Sequence, residues 1–98
     1  MRTFDAVKNQ IVYLTYVLSG FQDGIDAEVL RPIWDNLRHL PVEELPDRAQ
    51  GLRQRTEEQV ARWLDLGMSL SRQSIERVLE SLKLLLRELT PQTPSFNG

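Results

Sequence analysis

Apolar residues in the first twenty positions recur at intervals of three and four, which is the spacing of a helix with one buried face. This stripe consists of Phe4, Val7, Ile11, Leu14 and Leu18. Thr3 is placed to cap the start of the helix, and Gly20 is placed to end it. The pattern therefore predicts a first helix of about 16 residues.

Several other residues of this first helix are apolar but lie off the stripe. They are Val12, Tyr13, Tyr16 and Val17. A helix that is apolar on more than one side either lies at the centre of a bundle or contributes to a subunit interface. The alternative is an ordinary helix with two partly exposed tyrosines, a residue type that tolerates half exposure.

The region from residue 21 to residue 46 contains a second amphipathic segment and a proline-bracketed connector. Asp26 can cap a helix that runs to about His39. Pro32 either kinks this helix or begins its main part after a short turn at residues 26–30. Pro41 and Pro46 enclose a segment that we interpret as a single helical turn, stiff enough to set the angle between its neighbours.

The longest amphipathic segment runs from Asp47 to Leu89 and contains no proline. As one helix it would measure roughly 64 Å, which is too long for a domain of this size. Its two halves carry apolar stripes offset by about a quarter turn. Gly67 and Ser71 lie between the halves and suit a helix end and a new N-cap. The sequence favours a break near residues 67–70, and a continuous helix shared in an oligomer is the alternative.

These segments predict an all-α fold. We expect a three- to four-helix up-and-down bundle that forms a single domain over residues 1–90. Ninety-eight residues are enough for one modest hydrophobic core. Residues 91–98 contain two prolines and no apolar periodicity, so we expect a flexible C-terminal tail.

Composition narrows the range of partners. Twelve Lys and Arg residues against 14 Asp and Glu residues give a formal net charge of −2, which argues against binding to nucleic acid or to anionic membranes. The absence of cysteine excludes disulfides and cysteine-ligated zinc. Neither a transmembrane segment nor a signal-peptide cleavage site is recognisable, so we expect a cytoplasmic protein.

No motif in the sequence indicates catalysis or metal binding. His39, the only histidine, lies four residues after Asp35 and four before Glu43, but no nucleophile motif accompanies it. We interpret His39 as a favourable cation at a helix C-terminus. The acidic residues do not have the spacing of a calcium loop, and no glycine-rich phosphate loop occurs. We therefore expect no enzymatic activity, no metal and no cofactor.

The off-stripe apolar residues instead suggest a non-enzymatic interaction protein, such as an adaptor, an assembly factor or a small scaffold. Leu84 strengthens this interpretation because it lies among charged residues, opposite the apolar stripe of the last helix. We predict a homo-oligomer, with a dimer favoured, that also has a protein partner. Its predicted interface comprises Val12, Tyr13, Tyr16, Val17 and Leu84.

Residues 56–82 allow a different hypothesis, a DNA-binding regulator. An apolar helix, a turn at Gly67 and a second helix with a polar N-terminus resemble a helix-turn-helix. The distances from Ala61 to Gly67 and from Gly67 to Ile75 exceed those of the usual motif by about two residues each. The expected nucleic-acid contacts are Arg72, Gln73 and Arg77.

Two parts of the sequence resemble known protein families. The tetrapeptide Tyr13-Leu14-Thr15-Tyr16 resembles part of the first helix of RbcX-type Rubisco assembly chaperones, which implies a dimeric all-helical assembly factor. The Gln-, Arg- and Leu-rich composition of residues 47–89 resembles that of phasins, which implies a coat protein of a granule or membrane surface. The first likeness covers four residues and the second is compositional, so neither assigns the chain to a family.

Overall fold

The computed structural model describes residues 2–20 and 24–89. Its four α-helices are α1 (Arg2–Gly20), α2 (Arg31–Arg38), α3 (Asp47–Leu66) and α4 (Arg72–Leu89). The connections contain two 3₁₀ turns, Ala27–Leu30 and Val42–Glu44, and two short strands, β1 (Ile25–Asp26) and β2 (Ser69–Leu70). The predicted all-α class is confirmed, whereas the predicted tail at 91–98 lies outside the described residues.

The four helices alternate in direction, as an up-and-down bundle requires. The side chain of Thr3, at the start of α1, donates a hydrogen bond to Glu44, which follows α2, at 2.8 Å. Arg53 near the start of α3 donates to the carbonyl of Leu37 near the end of α2, at 3.3 Å. Arg72 at the start of α4 donates to the carbonyl of Leu18 near the end of α1, at 2.6 Å. Helix α1 therefore packs antiparallel to α4, and α2 antiparallel to α3.

One hydrophobic core runs through the bundle and receives side chains from all four helices. The fully buried members include Val7, Leu14, Ile33, Leu37, Val60, Ile75 and Leu82. Leu30 and Leu70, which belong to connections, are equally enclosed and close one end of the core. The helices and connections of the described residues therefore pack around the same hydrophobic core.

The segment from Asp47 to Leu89 is divided into two helices, as the offset of its stripes predicted. Gly67 ends α3 in the left-handed conformation, with φ of 61°. The amide of Gly67 donates to the carbonyl of Leu64, and the amide of Met68 donates to that of Trp63, which is the pattern of a Schellman cap. Ser71 then caps α4, because its hydroxyl accepts from the amide of Ser74 at 3.2 Å. Residues 47–89 therefore do not form a single helix.

The loops that follow α1 and α3 pair as a short antiparallel ladder. Ile25 is opposite Leu70, and Asp26 is opposite Ser69. Backbone hydrogen bonds from Gly24 to Leu70 and from Ala27 to Met68, both 3.0 Å, flank the pair. The apolar pattern of the sequence did not predict these strands. They connect the end of α1 to the start of α4 and hold that end of the bundle together.

Pro32 begins a helix and does not kink one. Asp26 accepts a hydrogen bond from the amide of Glu28 and caps the 3₁₀ turn that precedes α2. Pro32 lies within the first two positions of α2, where its missing N–H costs no intrahelical hydrogen bond. The second of the two alternatives for this segment is therefore correct, and the single turn expected between Pro41 and Pro46 is also present.

The ends of α1 differ from the expectation. Thr3 is not an N-cap, because the helix already begins at Arg2 and the Thr3 side chain is buried against Glu44. Gly20 is still helical, and Gly24 is the glycine in this connection that has a positive φ, of 86°. The short ladder places the turn at Gly24, where an L-amino acid would be strained.

Candidate interaction surfaces

The outer face of α1 exposes two large apolar side chains. Val12 is 61% exposed and Tyr16 is 78% exposed. They lie four residues apart and are therefore neighbours on one side of the helix. This side is opposite the one that buries Val7 and Leu14. Val12 and Tyr16 form a small apolar patch that no other part of the described chain covers.

Of the predicted interface residues, one is buried and another is partly buried against the core. Val17 is 5% exposed and lies among the buried residues. Tyr13 packs against the core, and its hydroxyl donates a hydrogen bond to the carbonyl of Val29 at 2.8 Å. The buried face of α1 is wider than the stripe from Phe4 to Leu18 suggested. The reason is that α1 packs against α4 and also contacts α2 and, through Tyr13, the turn before it.

Leu84 is exposed but does not join the patch on α1. It is 44% exposed, on the outer side of α4. Because Arg72 contacts Leu18, Tyr16 lies towards the end of the bundle where α4 starts. Leu84 lies about 18 Å from Arg72 along α4, at 1.5 Å per residue. The structure therefore places Tyr16 and Leu84 towards opposite ends of the bundle.

Two further exposed apolar residues were not predicted. Leu66 is 64% exposed and Met68 is 38% exposed, on either side of the Gly67 cap. They lie at the end of the bundle towards which Tyr16 also lies, because β1 and β2 join there. The sequence contained one signal for Leu66: it immediately precedes the glycine predicted to end the helix, where a side chain has few neighbours to pack against.

The three predicted nucleic-acid contacts lie on the first two turns of α4. Gln73 and Arg77 are exposed. Arg72 donates to the carbonyl of Leu18, and its Nε lies 3.3 Å from a carboxylate oxygen of Glu76. Its guanidinium thus has a structural role in joining α4 to α1. Glu76 and Glu80 border the same surface as Gln73 and Arg77, which weakens its attraction for phosphate.

A groove of about 250 Å³ lies between α3 and α4. Its lining combines apolar, polar and cationic side chains. They are Leu52, Arg55, Thr56, Gln59, Trp63, Arg77, Val78 and Ser81. The sequence did not reveal this groove, because it depends on how α3 packs against α4. Of the residues that line the groove, Arg77 alone was also a predicted DNA contact.

His39 occupies the position at the end of α2 that the sequence predicted. Its Nδ1 lies 2.8 Å from the carbonyl oxygen of Asp35 and 3.6 Å from the carboxylate of that residue. Within residues 2–20 and 24–89, His, Asp and Glu side chains do not gather in groups of three that would suit a metal ion. None of the helices described above combines the length and the hydropathy of a membrane-spanning segment.

Comparison of the chain with protein-family models, with curated proteins and with solved structures found no match. The short likenesses to RbcX-type chaperones and to phasins are thus not accompanied by a family assignment.

Proposed function

We propose that the chain is a non-enzymatic helical interaction protein, an adaptor, assembly factor or small scaffold, that self-associates through the outer face of α1. The observation that carries this proposal is the exposure of Val12 and Tyr16, one turn apart, on a helix whose opposite side is already buried in the core. Tyrosine is enriched at protein interfaces because its ring contributes a large apolar area and its hydroxyl tolerates water.

The arrangement of the patch favours a dimer. A patch on one side of one helix is self-complementary when two copies meet about a two-fold axis, and this is the commonest symmetry of soluble homo-oligomers. Two exposed side chains are a small contact area. We therefore expect a weak dimer whose population rises with concentration, and Leu84 is a separate exposed residue outside this contact.

Size-exclusion chromatography with light scattering tests the proposal. We expect the apparent mass of the wild-type protein to rise from that of the monomer towards that of the dimer as the concentration increases from micromolar to millimolar. The double variant Val12→Gln with Tyr16→Gln should remain monomeric at the same concentrations. Both changes place a good helix former at an exposed helix position, so circular dichroism should show unchanged helix content.

Leu84→Gln is the matched control, because it also removes an exposed apolar side chain. We expect this variant to associate like the wild-type protein. A wild-type protein that is monomeric at every concentration would rule out self-association. Association that persists in the α1 variant, or that is lost in the Leu84 variant, would show that α1 is not the contact.

The DNA-binding and granule-coating hypotheses remain predictions, as does a cytoplasmic location. A salt-dependent binding assay on random duplex DNA distinguishes the first from self-association. Flotation with liposomes tests the granule-coating hypothesis. The predicted DNA contacts Arg72, Gln73 and Arg77 all lie on α4, so the α1 variant should leave the DNA assay unchanged.

A further inference from the structure

The groove between α3 and α4 has an apolar base and a cationic rim. Leu52 and Trp63 of α3 and Val78 of α4 provide its apolar lining. Trp63 is only partly buried, so part of its ring faces the groove. Thr56 adds little polarity, because its hydroxyl already donates to the carbonyl of Leu52 at 2.8 Å. A ligand that enters the groove therefore meets an apolar surface with one indole ring, bordered by the polar side chains of Gln59 and Ser81.

Arg55 and Arg77 stand on opposite walls of this groove, one on each helix. Within the described part of the chain neither arginine forms an ion pair, whereas Arg31, Arg53, Arg72 and Lys83 each do. The lining contains no carboxylate. The lining of the groove thus carries two cationic side chains and no anionic one, which is complementary to an acidic ligand. Glu76 and Glu80 adjoin Arg77 on its other side, outside the groove.

The size of the groove limits what can occupy it. Its 250 Å³ is below the range of about 300–1,000 Å³ that is typical of small-molecule and cofactor sites. A single aromatic or large aliphatic side chain fits this volume better. A buried anchor residue surrounded by polar contacts is the usual centre of a protein interface.

We infer that the groove between α3 and α4 binds an acidic segment of a partner protein, which inserts one aromatic side chain beside Trp63 and places flanking carboxylates against Arg55 and Arg77. Arginine suits this role because its planar guanidinium donates two parallel hydrogen bonds to a carboxylate. The groove is separate from the outer face of α1, so this inference does not depend on self-association.

The two tryptophans of the chain provide a selective test by NMR. Trp63 lines the groove, whereas Trp34 lies at a different depression between α2 and α3, with Arg38 stacked 4.4 Å from its ring. The probe is the capped peptide Glu-Glu-Phe-Glu-Glu, titrated into ¹⁵N-labelled protein. We expect the indole N–H signal of Trp63 to move and that of Trp34 to stay. The capped peptide Gln-Gln-Phe-Gln-Gln should cause little change.

Variants of the rim identify the contacts. The double variant Arg55→Gln with Arg77→Gln should lower the affinity of the groove for the acidic peptide at least about fivefold. The double variant Arg62→Gln with Arg87→Gln removes the same charge from exposed helix positions outside the groove and should bind like the wild-type protein. All four positions are helical and accept glutamine, so the ¹⁵N spectra also report whether each variant is folded.

Three results would overturn the inference. One is a Trp63 signal that does not respond to the acidic peptide at millimolar concentration. Another is equal binding by the rim variant and by the wild-type protein. The third is a Trp63 signal that moves with inorganic phosphate or with random duplex DNA but not with the acidic peptide, because the groove would then be a site for phosphate.

Discussion

Tyr13 and Tyr16 lie three residues apart in α1 but have different environments. The hydroxyl of Tyr13 bonds to the carbonyl of Val29 and fixes α1 to the turn that precedes α2, whereas Tyr16 is 78% exposed. Their positions in the sequence suggested similar roles for both. The difference arises from the turn, whose path over α1 cannot be read from the spacing of apolar residues.

Phenylalanine substitutions separate these two roles. Tyr13→Phe leaves the Val29 carbonyl without its side-chain donor and should lower the free energy of unfolding by about 1 kcal/mol. Tyr16→Phe removes a hydroxyl that faces water, so it should change the free energy of unfolding by less than about 0.5 kcal/mol. Urea denaturation measures both values. A larger loss for Tyr16→Phe than for Tyr13→Phe would contradict the assigned environments.

Glu28 and Arg31 form the best-defined ion pair on the surface. The Arg31 guanidinium donates two hydrogen bonds to the Glu28 carboxylate, at 2.8 and 2.9 Å. These hydrogen bonds, and the positive charge of Arg31 with them, lower the pKa of Glu28 from its ordinary value. The folded state therefore binds this proton less tightly than the unfolded state does. The stabilisation from the pair is present above the ordinary glutamate pKa and is lost as the pH falls through the lowered value.

Arg31→Gln should accordingly raise the pKa of Glu28 towards its ordinary value. The side-chain carboxyl ¹³C shift of Glu28, followed through an acid titration, measures this pKa in both proteins. Added salt should raise the pKa of Glu28 in the wild-type protein, because both side chains are exposed and the pair is screened. An identical Glu28 titration in the variant and the wild-type protein would show that the pair does not form in solution.

At the scale of the helices, the break at Gly67 decides the fold. The sequence predicted it because the two apolar stripes on either side do not align on one straight helix. Gly67 and Ser71 have the local chemistry that ends one helix and starts another. The pairing of β1 with β2 could not be predicted in this way. Each strand has only two residues, and the paired Ile25 and Leu70 are 45 positions apart. No local sequence pattern therefore predicts these strands.

Two glycines, one inside α3 and one at its end, should respond to alanine in opposite directions. Gly67 has φ of 61°, and a Cβ added there would meet no other atom within 4 Å, so Gly67→Ala should destabilise the protein by about 1–2 kcal/mol through backbone strain alone. Gly51 is helical and equally open, so Gly51→Ala should stabilise it by about 0.5–1 kcal/mol. Thermal unfolding measures both. Shifts of the same sign would mean that Gly67 does not end the helix as described.

For the molecule as a whole, the sequence predicted the class and the alternation of the helices but not its surfaces. A stripe of apolar residues shows which side of a helix is buried, and short connections imply antiparallel neighbours. The groove beside Trp63 and the exposed end at Leu66 and Met68 depend on how helices and loops meet. Val17 illustrates the same limit, because its burial results from a wider contact than one stripe reveals.

The described bundle is elongated and measures 46 × 26 × 18 Å. The patch at Val12 and Tyr16 and the groove at Trp63 lie on different helices. A dimer formed through α1 therefore leaves the groove between α3 and α4 available in each copy. The proposed dimer would thus carry two copies of the proposed partner site, and a bivalent scaffold of this kind would bind with raised avidity.

Intermolecular paramagnetic relaxation enhancement tests self-association through α1 most directly. The chain has no cysteine, so Asn9→Cys provides one site for a nitroxide label, exposed and three residues before Val12. Labelled protein is mixed with an unmodified ¹⁵N-labelled copy, and Glu58→Cys on α3 serves as the control label. We predict that the Asn9 label broadens the amide signals around Val12 and Tyr16 of the ¹⁵N copy more strongly than the Glu58 label does. Absence of broadening at high concentration, or broadening centred on Leu84, would contradict the proposed contact.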